Sequence, residues 1–284
     1  MRLLRSLAVL TVALPLTVLP AASGQAAPPA PATYLALGDS VAFGTGATDP
    51  ATQGYVPLLA ADVQGKGCGK GKGKGTAVGC RVELVNLAVE GATTATLLSR
   101  QLPAALELIE ERNATRTPVD DVRLITITIG GNDLVRPVGA ACSGGATATC
   151  LQAITSQFAQ LGTNYASILS QLRAAAGPDT TIAVTTYYNA FANPGCQFTS
   201  LSALGEIVLE GGALPNGPTL PGGSNDVIRQ QAAAYGAVVV DTAPVVSPTT
   251  ETQPDCLHPN TAGYVDIADQ LAGVVGNPFK GRHR

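Results

Sequence analysis

Tyr34-Leu35-Ala36-Leu37-Gly38-Asp39-Ser40-Val41 is a short apolar run that stops abruptly at a glycine, an aspartate and a serine. An apolar run of this length, bounded by turn residues, suits a buried strand. Gly38 lets the backbone bend sharply where the strand ends, since it has no Cβ to clash. A serine in that place is held rigidly at a surface, as a nucleophile must be. Gly-Asp and Asp-Ser also end many strands for turn chemistry alone, so the tetrad gains meaning only from what other strand ends carry.

Working outward, four more apolar segments read as strands: 82–88, 122–129, 181–186 and 237–240. β-Branched residues dominate the third and fifth of the set, as strands favour. The third alternates as a two-faced strand does, and the last two read as buried on both sides, as in a parallel sheet. Between them, 93–112 carries Leu98, Leu102, Leu106 and Ile109 at helical spacing, and 151–176 carries Ile154, Phe158, Leu161, Ile168 and Leu172. Asn225 and Asn260 are placed to cap helices running to Tyr235 and towards Val275. Alternating strands and helices predict an α/β fold with a parallel sheet covered on both faces.

The first 26 residues read as a secretory signal. Arg2 and Arg5 precede an apolar run over 7–22, and small residues follow around Gly24-Gln25-Ala26. Pro15 and Pro20 interrupt a run already short of the roughly 20 residues a membrane span needs. Residues 27–32 form a Pro/Ala-rich leader, 33–276 the domain, and 277–284 a tail expected to be disordered. Of 17 basic residues Arg2 and Arg5 leave with the signal, so 15 face 20 acidic ones. A mildly acidic chain has no general attraction for nucleic acid.

Six cysteines in an exported chain read as three disulfides. Fifteen pairings are open to six, and the spacing favours the sequential one: Cys68–Cys80, Cys142–Cys150 and Cys196–Cys256. No Cys-x-x-Cys occurs, and only His258 lies near a cysteine, so no metal site is expected. The segment 66–75 alternates glycine with lysine and holds four of the chain's five lysines. It reads as a solvated loop, or as a weak anchor for anionic surfaces.

Chemistry-bearing residues collect at strand ends. Ser40 follows the first strand, Gly91 the second and Asn132 the third, while Asp255 and His258 come after the fifth. Ligands of open parallel sheets bind outside the carboxyl ends of the strands. A serine hydroxyl needs a base, and histidine suits that task near neutral pH. The chain has two histidines, and His283 lies in the tail, which leaves His258. Asp255 is placed to hold the other ring nitrogen. The backbone N–H groups of Ser40 and Gly91, with the Asn132 amide, can serve an oxyanion. A divalent cation among Asp39, Asp133, Asp255 and His258 is the competing arrangement, and it gives Ser40 and Gly91 nothing to do.

In these residues the chain resembles the SGNH, or GDSL, hydrolase superfamily. Gly38-Asp39-Ser40 matches its first block, 86–91 its second, Gly130-x-Asn132-Asp133 its third, and Asp255-x-x-His258-Pro259 its fifth. With a signal and three expected disulfides, the chain is most similar to secreted actinobacterial lipases and esterases. The resemblance implies a flavodoxin-like three-layer α/β/α sandwich with a five-stranded parallel sheet, and ester hydrolysis without a cofactor. A triad of Ser40, His258 and Asp255 follows from it, with an oxyanion hole of Ser40, Gly91 and Asn132.

Gly-x-Ser-x-Gly is absent around Ser40, which sets the chain apart from nucleophile-elbow hydrolases. The expected partner is a small-molecule or lipid ester, with transient contact at lipid interfaces, and the expected state is a monomer. A carbohydrate O-acetyl esterase and a catalytically idle binding protein are the alternatives. Leu201, Leu204, Ile207, Val208 and Leu209 either line an acyl groove or pack on the sheet. The chain has no tryptophan on which a sugar could stack, which leans towards lipid esters.

Overall fold

The computed structural model describes residues 31–67, 82–114, 121–196, 201–214 and 217–279. Five parallel strands form its centre: β1 (Ala32–Gly38), β2 (Val82–Asn86), β3 (Val122–Thr128), β4 (Thr181–Thr185) and, after a short antiparallel pair, β7 (Val238–Val240). The small pair is β5 (Gly212–Ala213) and β6 (Thr219–Leu220). The strand order is β2-β1-β3-β4-β7. The chain leaves β1 to one side for β2 and returns on the other for β3, so the order reverses at β1. That reversal opens a crevice at the carboxyl ends of β1, β2 and β3.

Side-chain alternation in β1 builds two separate cores. Leu35 and Leu37 face one layer, with Ile125, Ile127, Ile182 and Val184 beside them. That layer is closed by α5 (Leu102–Asn113), α7 (Ala148–Ala176) and α9 (Ser224–Ala234). Tyr34 and Ala36 face the other, covered by α3 (Tyr55–Gly67) and α10 (Thr261–Val275). Fully burying each such aliphatic side chain contributes about 1.5–3 kcal/mol. The result is the expected three-layer α/β/α arrangement. Two details differ from the sequence expectation. β3 is buried on both faces at the sheet centre rather than two-faced, whereas β7 is an edge strand with Val238 exposed.

Short helices follow the strand ends: α1 (Ser40–Phe43), α2 (Pro50–Gln53), α4 (Thr94–Thr96), α6 (Gly131–Cys142) and α8 (Ser202–Glu210). A π-helical turn, Leu97–Gln101, joins α4 to α5. A third apolar cluster unites α6, α8, the start of α7 and the β5–β6 pair, through Leu134, Val138, Ile154 and Val208. The Cys142–Cys150 disulfide lies inside it, and Cys196–Cys256 closes a separation of 60 residues. Cys68, Cys80 and most of the Lys/Gly-rich segment lie outside the described residues, as do residues 1–30 and His283. Phe279, within the segment read as tail, packs against the core beneath α10. Among the described residues no helix is long and apolar enough to cross a membrane.

Candidate active site

Gly38 shows why the first strand must end as it does. Its φ is +148°, and a Cβ there would meet the Thr128 carbonyl oxygen at 2.2 Å. β1 and β3 can run this close only with a bare backbone at that point. The buried Gln101 amide completes the turn, accepting from the Gly38 N–H at 2.9 Å and donating to its carbonyl at 2.8 Å. Asp39 then caps α1 by accepting from the Val41 N–H at 2.9 Å, which fixes Ser40 at the first helical position.

His258 Nε2 lies 2.8 Å from Ser40 Oγ, and His258 Nδ1 lies 2.6 Å from Asp255 Oδ2. The other Asp255 oxygen accepts from the backbone N–H groups of Leu257 at 3.0 Å and His258 at 3.1 Å. Burial pushes the Asp255 carboxyl up, but these bonds outweigh it and hold the group below the ordinary carboxylate range. An ionised Asp255 keeps the proton on Nδ1 and leaves Nε2 free to accept from serine. Asn260 caps α10 as expected, its side chain accepting from the Ala262 and Gly263 N–H groups.

The histidine loop is tied down from several sides. The Tyr188 hydroxyl donates to the Leu257 carbonyl at 2.8 Å, and Gln253 N–H donates to the His258 carbonyl at 2.8 Å. Cys256 sits between the two polar residues with a φ of +63°, a conformation that L residues seldom adopt. Its disulfide to Cys196 fastens that turn to the segment after β4. Asn193 adds a bond to Thr252 at 2.9 Å across the same junction.

Gly91 and Asn132 border the same cleft as Ser40 and His258. Gly91 has a φ of +71°. Asn132 uses one of its two amide hydrogens on the Ala92 carbonyl at 3.0 Å, so the other remains for a ligand. Beneath them, Asp133 accepts from the Thr94 N–H at 2.9 Å and from the Thr94 hydroxyl. Asn164 donates to that hydroxyl at 2.7 Å, and Gln160 donates to Asn164 at 2.8 Å. The network joins the turn after β2 to the turn after β3, and burial raises the Asp133 carboxyl.

Asp39 is the second buried carboxylate. Burial pushes it up to about 6, although hydrogen bonds from Tyr187 and Val41 pull the other way. The Tyr187 hydroxyl donates to Asp39 Oδ2, and Asn225 clamps the Tyr187 backbone at 2.9 Å and 2.8 Å. Asp39 and Asp133 thus bond to Tyr187 and Thr94, apart from the Asp255–His258 pair, and among the described residues no three His, Cys, Asp or Glu side chains gather where they could hold a metal ion.

The cleft encloses about 610 Å³. α6 forms one wall with Leu134, Val135 and Val138, and α8 forms the other with Leu204, Val208 and Leu209. Phe191 also lines it. Of the apolar stretch noted in the sequence, Leu201, Leu204, Val208 and Leu209 border the cleft, while Leu204, Ile207 and Val208 also pack into the third core. The stretch thus borders the cleft, and it packs into this third cluster rather than on the central sheet.

The sequence profile of the GDSL-like lipase/acylhydrolase family matches residues 36–265. The chain belongs to this family. It is accordingly a carboxylic ester hydrolase, as its strand-end residues imply. Among solved structures, a lipase from a goat rumen metagenome is 20% identical, with a TM-score of 0.61 over 87% of this chain and 98% of that one. The extracellular lipase of Streptomyces rimosus is also 20% identical, with a TM-score of 0.55 over 86% and 99%. An acetylxylan esterase from Geobacillus stearothermophilus is 15% identical, with a TM-score of 0.55 over 90% and 98%. These likenesses show a shared fold. A search of curated proteins returns no significant match.

Within this GDSL-family fold, Ser40, Gly91, Asn132 and His258 border one cleft, and Asp255 joins them through its hydrogen bond to His258. Sequence reasoning missed Tyr187, Gln101, Thr94 and Asn164. Each acts through a long-range contact that leaves no local pattern. It also missed α6 as a cleft wall, although Leu134, Val135 and Val138 are spaced for a helical face.

Proposed function

We propose that the protein is an exported serine esterase of the lipase type, acting on esters of apolar acyl groups through an acyl-enzyme on Ser40. The observation that carries this is the row Asp255–His258–Ser40 opening onto an apolar cleft. His258 Nε2 takes the Ser40 proton as Oγ attacks the ester carbonyl, and Asp255 holds the imidazolium that forms. The resulting oxyanion receives the Ser40 and Gly91 backbone N–H groups and the free Asn132 N–H. His258 then gives its proton to the departing alcohol. A water molecule, deprotonated by the same imidazole, cleaves the acyl-enzyme and returns Ser40.

The walls support an acyl substrate over a sugar, whose hydroxyls lose hydration against aliphatic side chains. Exposed Phe43, Val89, Val135 and Leu257 lie within three residues of Ser40, Gly91, Asn132 and His258 respectively. They would meet a lipid surface first, and the protein works as a monomer at such surfaces. The signal-like N-terminus and the two disulfides support export.

A panel of p-nitrophenyl esters from acetate to palmitate, together with acetylated xylo-oligosaccharide, tests the substrate class. Higher kcat/KM on esters longer than acetate is expected. Preference for the acetylated sugar would establish the carbohydrate alternative.

A further inference from the structure

We infer that the acyl chain lies along α6 and that Gly139 sets the chain length the enzyme accepts. Acyl groups of about eight carbons reach this glycine and longer ones pass over it. The inference rests on the acyl-ester function proposed above. Asn132, Val135 and Gly139 fall at i, i+3 and i+7, so they share one face of α6, and all three border the cleft that holds Ser40. Seven residues of helix, at about 1.5 Å each, place Gly139 roughly 10 Å beyond Asn132. Carbon–carbon bonds of about 1.5 Å advance a zigzag chain by roughly 1.3 Å per carbon, which gives about eight carbons for that span.

Gly205 and Gly139, one from each wall, differ in what holds them. At Gly205 of α8 a Cβ would meet Asn189 Oδ1 at 2.7 Å and Phe191 Cδ2 at 3.0 Å, so packing explains the glycine. At Gly139 a Cβ would meet no atom within 4 Å. Glycine is disfavoured in a helix interior, and neither packing nor a positive φ requires it at this position. What its missing side chain leaves is free space in the cleft, one turn past Val135 and above the apolar cluster formed by Val138, Cys142 and Val208. A larger residue there would stand across the path of the chain.

The test is the ratio of kcat/KM values, which does not depend on the fraction of enzyme correctly folded. In Gly139→Leu the ratio of p-nitrophenyl decanoate to acetate should fall at least tenfold, the scale on which a hydrophobic pocket rejects a misfit. The hexanoate-to-acetate ratio should stay within about threefold, because a shorter chain ends before the glycine. Gly139→Ala, compatible with any helix, should reduce the laurate-to-acetate ratio by a smaller but measurable factor of about two to three. An unchanged decanoate ratio in the leucine variant, or an equal fall for hexanoate, would overturn the inference. Failure of the underlying function reads out separately, as ester turnover that survives Ser40→Ala.

Discussion

His258 Nε2 and Ser40 Oγ stand 2.8 Å apart although 218 residues separate them in the chain. Only the sheet brings them together, by placing β1 where the strand order reverses and leading the chain out past β7 to the same crevice. Their contact is a difference measurement waiting to be made. His258→Ala should lower kcat by several orders of magnitude, while Asp255→Ala should cost less, since water can partly orient the ring. Steady-state kinetics on one short ester checks the ranking, and equal losses would make Asp255 as essential as the base.

In the proposed oxyanion hole Asn132 donates to the substrate, and Asp133 holds the neighbouring turn through Thr94. Asn132→Ala should lower kcat about 100- to 1000-fold with little change in KM. Asp133→Asn should act indirectly. The Thr94 hydroxyl already accepts from Asn164, so its hydrogen and the Thr94 N–H both point at residue 133. An amide can accept both on one oxygen only by turning its NH2 to where a carboxylate oxygen now accepts. A kcat loss of about tenfold or more at constant KM is expected, since about 1 Å of misplacement suffices. A pure KM effect in either variant would remove that residue from oxyanion support.

Asp39 should make stability fall as pH rises. Burial, with Asp133 nearby, holds its folded value at about 6 against 3.8 in a free chain, although Tyr187, Val41 and His258 oppose the shift. The folded state therefore keeps a proton between these values that the unfolded chain releases. Stability from this group is full below about pH 4 and is lost by about pH 6, by roughly 3 kcal/mol for a shift of about two pH units. Asp39→Asn can still cap Val41 and face the Tyr187 hydroxyl, so it should flatten this slope. Urea unfolding of both proteins from pH 4 to 7.5 measures it, and parallel curves would contradict the account.

The sheet and both histidine partners were legible in sequence because they depend on local signals. Strand 34–38 is a bounded apolar run, α7 has a clean helical stripe, and Asp255 lies one loop from His258. The burial of β3 and the exposure of Val238 were not legible. Both strands are rich in β-branched residues, and which one sits at the sheet edge depends on strand order, which no local pattern encodes. Tyr187 was hidden for the same reason. It meets Asp39 across 148 positions, and a tyrosine after a strand reads as ordinary core.

The Cys196–Cys256 bridge should matter for rate as well as for stability. Closing a loop of this length contributes about 4 kcal/mol in the chain-entropy model. The bridge also holds Cys256 at a φ of +63° directly between Asp255 and His258. With both cysteines changed to serine, kcat should drop about 10- to 100-fold even far below the melting temperature, because the ring loses its fixed position. Full activity in the folded variant would show that Tyr188 and Gln253 hold the loop unaided.

Covalent trapping tests the central claim most directly. The protein is incubated with the organophosphate diethyl p-nitrophenyl phosphate, and the digested protein is mapped by mass spectrometry. The account predicts one diethylphosphoryl group per molecule, on the peptide containing Ser40, with release of one equivalent of p-nitrophenol and loss of esterase activity. Ser40→Ala should take up none, and His258→Ala should react far more slowly. Labelling on another residue, or ester hydrolysis that persists in Ser40→Ala, would contradict it.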